Sequence, residues 1–138
     1  IMPTDFLLYS VLSGTFAALA SVSAKLFSDS RTLSFTVYVC EAVYTSGCED
    51  LIYPIRALCV GLMFLCNAAM WTFYTKALNK STSSVKVTVV NSATNFCMTA
   101  ILGHLLFNEA LHLQWWLGAS LIVTGTVITS RKNREKIE

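Results

Sequence analysis

Along this chain, long apolar stretches alternate with short polar clusters, and the lengths of the stretches decide what they can be. Four windows, roughly residues 6 to 27, 57 to 75, 87 to 107 and 112 to 129, come close to the about 20 apolar residues that a helix needs to cross a bilayer core. The second holds no charged residue and the first holds only Lys25. The pattern predicts an all-α membrane protein, a single domain of four transmembrane helices over residues 1 to 138, interrupted by an insertion at about 29 to 55. Ala18-Leu19-Ala20 offers a small-residue site of the kind that ends a signal peptide. No basic residue precedes that run and its apolar character continues to Phe27, so it reads as a membrane helix.

The insertion follows a different pattern. Its apolar portion, Leu33 to Tyr44, covers about a dozen residues, is rich in β-branched and aromatic types and contains Glu41, which is too short and too polar for a fifth crossing. It reads as an excursion outside the membrane, with Gly47 and Pro54 as punctuation before the second helix. Cys40 and Cys48 lie on the same side of the membrane, where an oxidising compartment permits a disulfide between them; two free thiols are the alternative. Cys59, Cys66 and Cys97 fall inside helices and read as small packing residues.

Composition agrees with this class: 54% of the 138 residues are hydrophobic and 13% are charged, and the mean hydropathy is +0.58. Short loops rich in Lys and Arg stay cytoplasmic. That rule puts Lys76, Lys80 and Lys86 in the cytosol with the tail that holds Arg131, Lys132, Arg134 and Lys136. The insertion and the turn bearing Glu109 then face outward or into a lumen, and both termini are cytoplasmic. The net charge of +2 is explained by topology and gives no reason to expect nucleic acid. There is no Gly-rich phosphate loop, no CxxC pair and no Ser, His and Asp set spaced for nucleophilic catalysis. His104, Glu109 and His112 match no familiar metal spacing, so no enzyme, metal or cofactor is expected.

The small and polar residues within the helices carry the remaining information, because lipid supplies no hydrophobic force between helices and close packing must hold them together. Gly14, Ala18, Ser21 and Lys25 share one face of the first helix as a packing stripe. Lys25, near the outer end, can snorkel to the interface. The second helix carries Asn67, Trp71 and Tyr74 and the third carries Thr88, Asn91 and Asn95; these stripes face each other or a cavity. Asn67, Trp71, Asn91 and Asn95, with Lys25, are candidates for a solute path, against the plainer reading of interhelical hydrogen bonds. The last helix places Gly118 and Gly125 on one face behind an aromatic anchor, Trp115 and Trp116. That strip packs either on another polypeptide or on the same chain. Glu109 sits at a helical turn, where its carboxylate can cap the N-terminus of the last helix.

The run LGHLLFNEALHLQWWLGASLIVTGTVI resembles the end of a repeat in the EamA-like group of the drug/metabolite transporter superfamily. The segments GTFAALASVSAKL and NAAMWTFYTKALNKSTSSVKVTVVNSATNF are similar to the transmembrane protein 42 family, a four-helix, single-repeat branch. The resemblance leaves out residues 33 to 56, which look like an insertion. It implies a fold like that of small multidrug-resistance transporters, with the first three helices lining a chamber and the fourth making a dimer contact. One repeat cannot enclose a pathway alone, so a second copy or a larger membrane complex is implied. Small multidrug-resistance proteins couple transport to protons through a carboxylate in the first helix, and here that helix offers Lys25 and no acid. Two functions follow from the resemblance. One is a dimeric transporter of a small polar or cationic solute; the other is a non-transporting accessory subunit that docks through its last helix.

Overall fold

The computed structural model describes residues 4–43 and 48–135, and among these every regular element is helical. The order is α1 (Asp5–Ser28), α2 (Ser30–Val43), a 3-10 turn (Cys48–Leu51), α3 (Ile52–Lys80), α4 (Ser84–Phe107) and α5 (Leu113–Glu135). Three of these, α1, α3 and α4, are long and apolar enough to cross a membrane, and α5 contributes a shorter apolar portion over Leu113–Thr129. The protein is an all-α membrane protein. Its large side chains point outward: Leu58, Phe64, Leu65, Leu105, Leu117 and Leu121 are all exposed, as surfaces that meet lipid are. The buried positions are mostly small, among them Ser10, Ser13, Ala18, Ala20 and Ala77, with Phe107 and Ile52 as larger exceptions.

α1 lies between α3 and α4, which touch each other little. Its sequence explains that position. Ser10, Ser13, Gly14 and Ala18 are buried along one side, and each is small enough for a neighbouring backbone to come near. At Gly14 the approach is closest. A Cβ built there would lie 2.6 Å from the Asn91 carbonyl oxygen, 2.7 Å from Thr94 Cβ and 3.0 Å from the Asn95 nitrogen. The backbones of α1 and α4 are therefore in contact, and only glycine fits between them. Towards α3 the contact is different in kind. Phe73 stacks with Phe16 at 5.4 Å and with Tyr9 at 6.2 Å between ring centroids, and the Ser13 hydroxyl donates to the Met70 carbonyl oxygen at 3.0 Å.

An ion pair and a hydrogen bond at the helix ends show the directions of the helices. Lys80 at the end of α3 pairs with Asp5 at the start of α1, at 3.3 Å, so these two helices run antiparallel. At the opposite end Arg31, just after α1, donates to the carbonyl oxygen of Phe107, the last residue of α4, at 2.6 Å. α1 and α4 thus run in the same direction. α5 leaves the turn after α4 and touches that helix only briefly.

Most of the insertion is helical. Residues 33 to 44, read as an excursion outside the membrane, lie largely in α2, 14 residues or about 21 Å long at 1.5 Å per residue. That is shorter than the about 30 Å bilayer core. Asp29 starts the helix, its Oδ1 accepting the Arg31 backbone N–H at 2.9 Å, while its own N–H closes α1 on the Lys25 carbonyl at 2.9 Å. One aspartate therefore ends one helix and begins the next. Thr36 and Cys40 are buried on the inner side of α2. A disulfide joins Cys40 to Cys48, with Cα atoms 5.7 Å apart, and the turn from Cys48 leads directly into α3. α3 starts at Ile52, ahead of Pro54. The proline lies in the first helical turn, where its missing N–H removes no helical hydrogen bond.

Gly14→Leu must force α1 and α4 apart, and the cost expected is about 1–3 kcal/mol or more, as for overpacking generally. Thermal unfolding in lipid nanodiscs measures it, with Gly61→Leu as the control, because a Cβ at Gly61 meets nothing within 4 Å. Asn108 ends α4 with φ 51° and ψ 38°, in the left-handed region that β-branched residues avoid. Asn108→Gly should keep wild-type stability in the same assay, and Asn108→Val should lose about 1–3 kcal/mol.

Candidate functional site

The end of α4 builds the site. Because Asn108 turns left-handed, its N–H folds back to the Gly103 carbonyl oxygen, and the Glu109 N–H reaches the same oxygen at 3.5 Å. This closes the helix in the manner of a Schellman motif. It also sends the Glu109 side chain back over α4. Gly103 makes room, since a Cβ there would stand 3.1 Å from Glu109 Oε2. The carboxylate ends on α1, where Lys25 Nζ forms an ion pair with Glu109 Oε1. Lys25 also lies 4.5 Å from the centroid of the Phe107 ring, and His104 Nδ1 donates to the Glu109 carbonyl oxygen at 2.9 Å.

These contacts bear on two expectations. Position in a helical turn makes Glu109 a cap for the last helix, but its carboxylate is paired with Lys25 and its backbone N–H closes α4 instead. The physical reason is Asn108, whose left-handed backbone turns the chain so that the Glu109 N–H reaches the Gly103 carbonyl. Lys25 is expected to snorkel to the interface; near that end of the bundle it pairs with Glu109. The side chains of Lys25 and Glu109 keep 40% and 52% of their surface exposed. The pair is therefore open to competition from other ions.

Beside the pair lies a groove of about 400 Å3 between α4 and the start of α5, lined among others by Phe96, Thr99, His104, Glu109, His112 and Trp115. Phe96 and Trp115 stack nearly parallel at 5.4 Å, and Trp116 packs edge-on to Trp115 at 5.0 Å. Trp115 thus forms part of the groove wall, with Trp116 packed behind it. Thr99 adds a hydroxyl, donated to Asn95 Oδ1 at 3.2 Å. A carboxylate, two imidazoles and stacked rings make a surface suited to a cation. Among the described residues no group of three His, Cys, Asp or Glu side chains is placed to hold a metal.

The four expected pathway residues are not brought together. Asn67 donates to the Met63 carbonyl of its own helix at 2.9 Å, and Trp71 is 60% exposed with its edge against Tyr74. Asn91 and Asn95 face α1 through their backbones at Gly14, and Asn91 Oδ1 is buried without a hydrogen-bond partner. α1 stands between the two stripes. Their one described link is Tyr74 to Thr88, 2.7 Å between hydroxyl oxygens. Phe96, Thr99 and Gly103 were hidden from sequence reasoning because they are ordinary helix residues until the turn folds back on them. Helical spacing held the one signal available: 96, 99 and 103 share a face with 95.

On α5, Gly118 has only Phe96 near it, at 4.0 Å, and Gly125 has no atom within 4 Å. The reading in which both glycines pack on helices of the same chain does not hold for Gly125. Among the described residues nothing of this chain fills that strip.

A double-mutant cycle tests the ion pair. Lys25→Met and Glu109→Gln should each destabilise, and the double variant should lose less than their sum, with a coupling of about 0.2–1 kcal/mol, the range of a solvent-screened pair. Additivity in thermal unfolding would mean that the two side chains do not interact.

No solved structure matches the chain. Residues 4–131, which include all four apolar helices and the groove, match the EamA-like transporter family. With that match on a bundle of apolar helices, the chain belongs to the EamA-like transporter family and is a multi-pass, drug/metabolite-transporter-like membrane protein.

Proposed function

We propose that the protein is a homodimeric carrier of a small cationic solute, from the single-repeat branch that resembles the transmembrane protein 42 family. The observation that carries this reading is the Glu109 carboxylate, shared between Lys25 on one side and the aromatic groove on the other. A solute ammonium entering the groove competes with Lys25 for that carboxylate and is covered by the Phe96 and Trp115 rings. Displacing Lys25 releases α1 from the turn after α4. Binding is thereby coupled to movement of the central helix, and no carboxylate within the α1 span is required. Asn95, bonded to Thr99, continues the polar lining along α4, and in the dimer the exposed Trp71 and neighbouring Asn67 of α3 line the chamber between copies. Lys76, Lys80, Lys86 and the basic tail orient both termini to the cytosol, which places α2 and the groove on the opposite side.

A second reading has its own observation. The open strip at Gly125, beside the exposed Leu117 and Leu121, fits a helix of another polypeptide, since glycine lets backbones approach where van der Waals contact is the main attraction. In the carrier this is a second copy. In an accessory subunit it is a larger membrane protein.

Binding of tetraphenylphosphonium, read by quenching of tryptophan fluorescence in nanodiscs, separates the roles of the pair. Glu109→Gln should weaken binding about tenfold, and Lys25→Met, which removes the internal competitor, should strengthen it by a similar factor. Weaker binding in both variants would overturn the competition mechanism. Native mass spectrometry from nanodiscs should show a dimer of this chain that Gly125→Leu dissociates; a stoichiometric foreign chain decides for the accessory subunit. For orientation, Lys80→Cys should react with impermeant maleimide only from the cytosolic side.

A further inference from the structure

A second cavity, of about 580 Å3, lies beneath α2. Its size is within the about 300–1,000 Å3 of small-molecule sites. Four helices contribute to it: Leu26 comes from α1, Phe35 and Val39 from α2, Ile55 and Cys59 from α3, and Leu106 from α4. The lining is apolar except for Arg31, Thr32 and Thr36, and it contains no carboxylate. Thr36 is satisfied, donating to the Thr32 carbonyl at 2.6 Å. Thr32 is not, because its hydroxyl oxygen is buried without a hydrogen-bond partner, and an unmet buried hydroxyl is costly enough to ask for one. Arg31 spends one donor on the Phe107 carbonyl and has others left of its five. The roof of the cavity is held in place covalently, since the Cys40 to Cys48 disulfide ties the end of α2 to the turn that enters α3. The space is therefore formed before any ligand arrives, so little ordering opposes binding.

We propose that this cavity binds a long-chain fatty carboxylate, with the hydrocarbon chain among Leu26, Val39, Ile55 and Leu106 and the head group on Arg31 and the Thr32 hydroxyl. The apolar lining selects hydrocarbon, and the guanidinium fork selects a planar carboxylate. Asp29 stands next to the one cation, holding the Arg31 backbone N–H, and its charge disfavours a dianionic head group. The site belongs to the insertion and is independent of the carrier reading, so it stands or falls whether or not the groove binds a cation.

Photolabelling of the full chain in phosphatidylcholine nanodiscs with a diazirine-bearing palmitate tests the assignment. Adducts should concentrate on Phe35, Val39, Ile55 and Cys59 and be suppressed by excess oleate. Arg31→Gln should reduce them about tenfold, as loss of one charge-assisted hydrogen bond does, and the methyl ester of the probe should label about tenfold less. Val39→Trp, which fills the cavity, should abolish them, while Tyr38→Trp on the exposed side of α2 should change nothing. If Val39→Trp fails to fold, the oleate competition and the ester decide. The proposal is overturned by adducts spread as densely over the outer face of α5, by an ester that labels as well as the acid, or by a bound two-chain phospholipid that oleate does not displace.

Discussion

The fold depends on the contact of two backbones at Gly14. In lipid, apolar side chains gain nothing by leaving one hydrocarbon surrounding for another, so helices are held by van der Waals contact and by polar links. α1 supplies both because its inner side is made of Ser10, Ser13, Gly14 and Ala18. Glycine at the crossing lets the α4 backbone come within the reach of a single missing methyl group. On the other side, Phe73 of α3 fills the space between Tyr9 and Phe16. α1 is consequently the central helix, and the polar side chains of α3 and α4 are kept apart by it. The contact leaves Asn91 Oδ1 buried and unpartnered, the one described place where close packing on α4 stands against hydrogen bonding.

The ends of α1 are fastened by charge. Asp5 meets Lys80 at one end and Lys25 meets Glu109 at the other. In water such exposed pairs contribute about 0–1 kcal/mol, too little to set a fold that backbone contact already determines. Their effect is on choice between arrangements. A pair that is weak in energy and open to solutes can be exchanged at small cost, and Lys25 with Glu109 has both properties. Asp5 with Lys80 has the Tyr9 ring beside it, 4.9 Å from Lys80, where Lys25 with Glu109 has the groove of Phe96 and Trp115. The two ends therefore differ in what can replace the lysine.

Length and hydropathy were enough to find the membrane helices, because α1, α3 and α4 follow from runs of apolar residues that leave few other structures. The packing stripe of α1 was legible at Gly14 and Ala18 from helical spacing alone. α2 was not legible by the same rule. Its Thr, Val and Tyr content favours strand by propensity, and the decision came from Asp29, whose side chain caps a new helix immediately after closing the old one. Propensity is a weak prior beside such a cap and a buried inner face. Glu109 was placed at the right turn, but the direction of its side chain depends on the Asn108 backbone and on the missing side chain of Gly103. Neither is visible without the neighbouring helix.

The chain is also incomplete as a packing problem. α1 has neighbours on two sides, whereas among the described residues α5 packs chiefly on α4, and a Cβ at Gly125 would meet nothing within 4 Å. In the bilayer that strip meets either lipid or protein. Lipid chains are flexible and fit a flat helix face without glycine, so a glycine strip gains contact mainly when a rigid backbone occupies it. The groove at Glu109 leans on α5 through Trp115, which stacks on Phe96 of α4. Whatever fixes the angle of α5 therefore also fixes one wall of the groove. A contact through Gly125 and the shape of the cation surface at Phe96 and Trp115 are mechanically linked, because α5 is the single rigid element that carries both.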